Sequence, residues 1–301
     1  MEPKTKWLLS KNKSCSCTMS GVWRAVACCQ GCAVIFHSPM GCVHVAETMD
    51  LGSHYRILAD GRHENIERVP LVSSNIREKD SIFGGTGRLR QSISYVMETY
   101  RPECLFIATS CVAGVIGDDA ESESAEAEMK YGIPVICIPY AGFLGGEYSD
   151  GYYKTAETII DRFFKPCEHV HNRILLLGDQ MGPDGQYVTE VKRLLSLFGL
   201  EVQWQFPSYL PFSEWANVPT AELAIVLGTI GQSDRMNKMA DLLEKKFGIH
   251  SVKDMYPIGW ENTCKWILEI GRLHGNVEKA KVIIEEEKKR IDSYVKSILH
   301  I

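Results

Sequence analysis

Cys17, Cys42 and Cys111 each stand just ahead of a segment whose pattern reads as a helix. Thiolates are ligands of iron-sulfur clusters, and a helix start turns unpaired N–H groups and partial positive charge toward an anion. Cys42 closes the stretch FHSPMGC and Cys111 the stretch FIATSC, so both fall at the carboxyl end of an expected strand. Parallel α/β sheets place their ligands at that edge. Cys17 precedes the helical run from Met19 to Cys29 and can reach the same edge. The chemistry expected of the set is an iron-sulfur site. Three thiolates leave a four-iron cube one ligand short, so the expectation includes a second subunit that completes it. Cys15 is the alternative to Cys17. The competing reading makes these small buried core residues, common in α/β proteins, and the shared strand-end placement weighs against it.

The other cysteines read differently. Cys28, Cys29 and Cys32 have a C-C-x-x-C spacing that suits zinc, but they fall at the end of an apolar helix and the start of a strand, which favours core packing. Cys104, Cys137 and Cys264 lie in apolar or helical runs and read as structural. Cys167, His169 and His171 form an isolated C-x-H-x-H that reads as a plain linker. The FGGTG turn from Phe83 to Gly87 lacks the Lys and Ser/Thr of a nucleotide loop and reads as a helix start. Asp118 and Asp119 read as helix-start carboxylates rather than general acids. No local signature of a hydrolase is present, and no catalytic residue is assigned.

The elements that must position these residues alternate. AVIFHS (33–38), CLFIAT (104–109) and IPVICI (133–138) are short β-branched runs of the buried parallel kind, separated by the helical stretches GRLRQSISYVMETY and VAGVIGDDAESESAEAEMKYG and followed by YYKTAETIIDRFF. After the polar break FKPCEHVHN the pattern restarts with RILLLGD (173–179), a helix near 184–199 and AELAIVLG (221–228). A helix over 234–247, a short FGIHSV strand, a helix over 260–273 and a charged helix from Glu278 to Leu299 follow. The expected fold is α/β, with two doubly wound, mostly parallel Rossmann-like domains. Residues 1–168 form the domain that carries the cluster cysteines, and residues 169–301 the second, ending in the long helix. The boundary is placed near Pro166 to Asn172. A chain of 301 residues, 45% apolar and 24% charged, suffices for two such cores.

A formal net charge of -5 without a basic tract argues against nucleic acid, and no apolar run reaches bilayer length, which argues against a membrane span. The opening MEPKTKWLLSKNKSCSC lacks the apolar core of a secretory signal, so the expected compartment is the cytoplasm, where 11 cysteines stay reduced.

Several stretches, taken in order over residues 15–299, carry a family likeness: CTMSGVW from Cys17, HSPMGC ending at Cys42, REKDSIFGG, TSCVAGVIGDD around Cys111, IPVICIPYAGFLGG and KKFGIHSVKDMYPIGWENT. Together they resemble the catalytic component-one proteins of nitrogenase and nitrogenase-like enzymes. The spacing from Cys17 to Cys42 and the segment GFLGGEYSDGYY look most like a β-type subunit. The resemblance implies a fold of the nitrogenase component 1 type, with Cys17, Cys42 and Cys111 holding a 4Fe-4S or P-cluster-like centre. That centre would be shared with a homologous subunit in a hetero- or homo-oligomer. It also implies an ATP-dependent iron-sulfur reductase that docks and sends electrons through the cluster toward a reduction site.

Three departures accompany the likeness. Ser38 stands where the family usually has a glycine before Pro39, which is expected to tighten the loop carrying Cys42. The stretch GTIGQSDR (228–235) has no cysteine where an α-type subunit offers one to its molybdenum cofactor. The third α/β domain that family members carry beyond the helix corresponding to Glu278–Leu299 is not expected here, whether because this is a fragment, because a separate chain supplies it, or because a short form has another job. The function implied is that of an iron-sulfur redox subunit of a nitrogenase-like reductase. The alternatives are a scaffold for nitrogenase-type cofactor assembly and a cluster-free two-domain protein that binds a small ligand in its cleft.

Overall fold

The computed structural model describes residues 17–48, 67–139, 146–179, 182–228 and 234–299. Cys15, most of the GFLGG stretch and residues 229–233 of GTIGQSDR lie outside the described residues. The chain divides into two compact units, Met1–Arg162 with Leu210–Glu214, and Phe163–Tyr209 with Trp215–Ile301.

In the first unit the elements run α1 (Thr18–Val26), β1 (Cys32–His37), α2 (40–48), β2 (Leu71–Ser73), α3 (Asp80–Phe83), α4 (Thr86–Thr99), β3 (Cys104–Thr109), α5 (Cys111–Ile116), α6 (Ala120–Tyr131), β4 (Val135–Ile138) and α7 (Tyr148–Phe163). The four strands are parallel in the order β2-β1-β3-β4. Every residue of β1 and β3 is buried, which is why both read as continuous apolar runs rather than alternating ones. Burying each Val, Ile, Leu or Phe contributes roughly 1.5–3 kcal/mol, so this central pair anchors the sheet. Their register runs from Cys32 opposite Cys104 to His37 opposite Thr109. α4 lays Leu89, Ile93 and Val96 against Ile35, Leu105 and Ile107 on one face.

The stretch after Cys111, which reads as one helical run although Asp118 and Asp119 read as a helix start, is two helices. Gly117 ends α5 with φ 81°, and the Asp119 side chain caps α6 by accepting the Ser122 N–H at 3.0 Å. Two of the glutamates in that stretch are also partnered. Glu123, buried, takes both a 2.6 Å bond from Arg90 Nε and one from Nη2, and Glu128 accepts the Val135 N–H at 3.0 Å. β2 and α2 were not foreseen. β2 is a three-residue, half-buried edge strand, and α2 has a mostly exposed surface with little apolar periodicity.

α1 is buried along its whole length and crosses α7 at two glycines. A Cβ on Gly21 would stand 1.9 Å from the Tyr148 carbonyl oxygen, and one on Gly151 would stand 2.0 Å from that of Thr18. The helix backbones therefore touch, and the start of α1, where Cys17 lies, is fixed to the start of α7. An isolated antiparallel bridge from Cys17 to Glu147 extends the same contact.

The second unit contains β5 (Val170–Leu177), α8 (Gln186–Ser196), β6 (Glu201–Phe206), a 3-10 helix (Phe212–Thr220) that begins in the first unit, β7 (Ala221–Val226), α9 (Asp234–Phe247), β8 (His250–Val252), α10 (Trp260–Leu273) and α11 (Val277–Leu299). Its strands are parallel in the order β6-β5-β7-β8, the same pattern as in the first unit when strands are counted along the chain. β6 was missed because only its second half, Trp204 to Phe206, is buried. Val188, Val191 and Leu195 of α8 and Trp266, Ile267 and Ile270 of α10 pack with Ile174, Leu176 and Ile225 into one core. The Arg193 guanidinium clamps α8 to α11 through two bonds to the buried Glu287 carboxylate, of 2.8 and 2.6 Å.

Substituting Gly21→Ala or Gly151→Ala is expected to cost about 1–3 kcal/mol or more, because a backbone carbonyl must move. Gly87→Ala, which meets open space in α4, is expected to be neutral or to stabilise by up to about 1 kcal/mol. Urea-unfolding midpoints of the three variants check the contrast.

Candidate functional site

The adjacent strands β1 and β3 send their connections to opposite sides of the sheet, so their carboxyl ends form its topological switch point, where doubly wound sheets bind ligands. β1 ends at His37, the chain turns at Ser38 and Pro39, and α2 brings Cys42, whose N–H donates to the Pro39 carbonyl at 3.1 Å. β3 ends at Thr109, and the Ser110 N–H donates to the His37 carbonyl at 3.1 Å, tying the two loops together. The Ser110 hydroxyl then caps α5 by accepting the Ala113 N–H at 3.2 Å, which places Cys111 at the first position of that helix. Cys17 has extended backbone and stands at the N-cap of α1.

All three cysteines are half-buried. The Cys42 thiol is pushed up, first by burial and then by the charges of Cys17 and Cys111, against a lowering hydrogen bond from Ser38. Cys17 and Cys111 are thus electrostatic neighbours of Cys42. Three half-buried thiols around the carboxyl end of one sheet form a soft donor set. Soft ligand type, convergence and partial burial all suit an iron-sulfur cluster. α1 carries no acidic residue in its first turn, so its positive end is left for the thiolates.

Most of the remaining cysteines among the described residues behave as core residues. Cys28, Cys29, Cys32 and Cys104 are buried, and burial drives the Cys29 and Cys32 thiols far above the ordinary range. Cys137 is pushed up to about 12 for the same reason. The linker reading of the C-x-H-x-H segment holds for Cys167 and His169, in the irregular stretch 164–169, and is corrected for His171, which is on β5. Cys167 is exposed, but His169 bonds the Phe247 carbonyl at 2.9 Å through Nε2, and His171 lies on β5 against Glu222.

Behind the Cys42 loop lies a polar relay. The Ser38 N–H donates to Ser74 Oγ at 3.1 Å, and Ser74 Oγ lies 2.8 Å from Nδ1 of His37. His37 Nε2 is 3.0 Å from Asp118 Oδ2, and both Asp118 oxygens accept the Gly85 N–H, at 2.8 and 3.0 Å. The Ser73 hydroxyl adds a bond to the Ser38 carbonyl at 2.9 Å. Burial pushes the His37 pKa down, opposed by Asp118 and Glu123. The neutral ring then accepts from Ser74 at Nδ1 and donates from Nε2 to Asp118. Ser38 is fully buried, and its hydroxyl donates to the Pro39 carbonyl at 2.9 Å, which adds a bond within the loop that presents Cys42. Asp118, expected as a helix-start acid, is instead the relay's anchor, and Asp119 alone is the cap. The signal was present in part, as a histidine ending an otherwise apolar strand.

A family model, described as nitrogenase component 1 type oxidoreductase, matches residues 17–300. The chain belongs to the nitrogenase component 1 family. Among curated relatives, the nitrogenase iron-molybdenum cofactor biosynthesis protein NifE of Clostridium pasteurianum is 33% identical over 86% of this chain and 54% of its own length. The nitrogenase molybdenum-iron protein alpha chain of Methanosarcina barkeri is 27% identical over 75% of this chain and 43% of its own. The corresponding beta chain of Methanococcus maripaludis is 24% identical over 88% and 60%. The likeness thus extends to alpha chains, beta chains and NifE, and the chain spans about half the length of these component 1 relatives. A solved structure entitled "Nitrogenase Cp1 at pH 6.5" superposes with a TM-score of 0.71 at 22% identity, over 93% of this chain and 54% of that one. The two parallel α/β units are the component 1 fold.

The lowered His37 pKa has a defined sign. Above the ordinary histidine value of about 6.5 the ring is neutral whether folded or not, and its burial is unopposed. As the pH falls from there toward the lower folded value, the unfolded chain takes up a proton that the folded chain refuses, and stability drops by at most about 1.4 kcal/mol per pH unit. The loss between about pH 7 and pH 5.5 is expected to be larger in the native chain than in His37→Gln, read from denaturation midpoints.

Proposed function

We propose that Cys17, Cys42 and Cys111 are ligands of an iron-sulfur cluster completed by a homologous subunit, and that the chain is a redox subunit of a nitrogenase-like reductase. The observation that carries this reading is the convergence of three half-buried thiols at the switch point of the first sheet. An iron-sulfur cluster, when bound, supplies one-electron storage and transfer. The chain's own residues hold and orient. The His37–Asp118 relay and Ser73 fix the Cys42 loop, Ser110 fixes Cys111, and the α1–α7 crossing fixes Cys17.

A second subunit is supported by what surrounds the thiols. Met40 lies two residues before Cys42 and is 55% exposed, and Val115, one turn past Cys111, is 77% exposed. Ile82 and Phe83 stand on α3, which packs against α5, and are 78% and 85% exposed. Apolar groups gathered on a surface in this way mark a protein interface. An ATP-dependent iron-sulfur reductase as electron donor is part of the same proposal, as is a reducing cytoplasm, where such thiols stay free. Among the described residues no helix is long and apolar enough to cross a membrane.

A second reading, a scaffold for cofactor assembly, is favoured by the 33% identity to NifE against 27% and 24% to the alpha and beta chains. Transfer separates the two. A scaffold releases its bound cluster to an apo-acceptor, whereas a redox subunit keeps it and takes up electrons from a reductase.

The chain purified without oxygen, alone and co-expressed with its genomic neighbours, is expected to carry about two irons per chain for a cube shared by two chains, or about four for a larger cluster, with matching acid-labile sulfide. Cys42→Ala and Cys111→Ala are expected to abolish the iron and loosen the subunit pair. Full iron content in both variants overturns the ligand assignment, and no iron in any combination overturns the redox reading.

A further inference from the structure

The second unit carries another set of metal-ligating side chains, at the opposite edge of its sheet from the switch point. His171 is the second residue of β5, Glu222 the second of β7, and His274 closes the C-terminal end of α10. His171 Nδ1 lies 3.0 Å from Glu222 Oε2, and His274 Nδ1 lies 3.3 Å from Glu222 Oε1. The three ligand atoms all fall within 4.8 Å of one another, and the two imidazoles stack with centroids 5.1 Å apart and planes at 14°.

The backbone is shaped for this arrangement. Between Val170, opposite Ala221, and Ile174, opposite Leu223, β5 spends more residues than β7, and the excess forms a bulge that includes His171. Asn172 in the bulge has φ 69°, a left-handed conformation uncommon outside glycine, and its N–H donates to Glu222 Oε2 at 2.6 Å. Bulges redirect side chains, and this one sets His171 beside Glu222.

We propose that His171, Glu222 and His274 form a binding site for a divalent transition metal of the zinc type. Two imidazoles and one carboxylate are the borderline donors that Zn2+, Co2+ and Cu2+ select over Mg2+ or Ca2+. A tetrahedral ion with bonds of about 2.0–2.1 Å separates its ligands by roughly 3.3 Å, and each imidazole already stands close to that distance from one oxygen of the Glu222 carboxylate. The ion would replace the protons that the two Nδ1 atoms share with the carboxylate. The Asn172 N–H also bonds Glu222 Oε2, the kind of outer-shell support that metal ligands use. His171 is 71% exposed, so the fourth position opens to solvent and takes water. Set at the amino-terminal edge, the ion would clip β5, β7 and α10 of one unit together.

Co2+ is the probe, titrated into the full chain after chelator treatment and without an affinity tag. One equivalent with the visible bands of tetrahedral N/O coordination, displaced by Zn2+, is expected in the native chain and in Cys42→Ala. His274→Ala and Glu222→Gln are expected to lose it, and Zn2+ is expected to raise the melting temperature of the native chain but not of His171→Ala. Circular dichroism confirms that each variant folds. Absence of binding, binding undiminished in the folded His274→Ala and Glu222→Gln variants, or only a sulfur-to-cobalt charge-transfer spectrum that follows Cys42 overturns the proposal. Because the readout does not depend on iron, its failure is separable from that of the cluster.

Discussion

The parallel pairing of β1 with β3 is the constraint from which the first unit follows. Two six-residue strands, buried on both faces, gain most when they lie side by side at the centre of the sheet, and their register leaves His37 level with Thr109. Both chains leave the sheet at that level, so the residues just beyond must share a small volume. Cys42 and Cys111 are neighbours because of hydrophobic burial some distance away, and the thiols themselves contribute nothing to their own convergence.

The polar relay behind the site shows how a buried loop is kept in one conformation. Each backbone group of Ser38 is occupied, its N–H by Ser74 and its carbonyl by Ser73 and by the Ile76 N–H at 3.0 Å. Ser74, in turn, is held by His37, and His37 by Asp118. Low dielectric strengthens such a chain when every member is satisfied and makes any single loss costly. Gly85 completes it because a Cβ there would stand 2.5 Å from the Asp118 carboxylate, so only a bare backbone lets the N–H approach both oxygens.

Much of this was legible from residue order, and the parts that were not share a physical cause. Strands such as CLFIAT declare themselves because burial on both faces demands unbroken apolar residues, and β3 is found over the expected Cys104–Thr109. β6 hides because it is buried over only half its length, and the break between α5 and α6 turns on one glycine with positive φ. The three cysteines were visible as strand-end residues. The His37–Asp118 pairing and the His171–Glu222–His274 group were not, since each joins distant segments and only the folded chain sets them side by side. The C-x-H-x-H segment shows the limit most clearly. Its local spacing suggests three ligands in a row, yet Cys167 and His169 lie in the irregular stretch before β5 and His169 bonds the Phe247 carbonyl, so only His171 joins the cluster.

The contact of α1 with α7 also orders events in time. Cys42 and Cys111 come together as soon as β3 has joined β1, but Cys17 is held by a helix that begins only at Tyr148. Closing so long a loop is entropically slow and waits on the packing at its far end. A nascent chain that has not yet reached Gly151 therefore presents two gathered thiols and one free to roam. The set of cysteines proposed as cluster ligands is therefore complete only when the first unit closes.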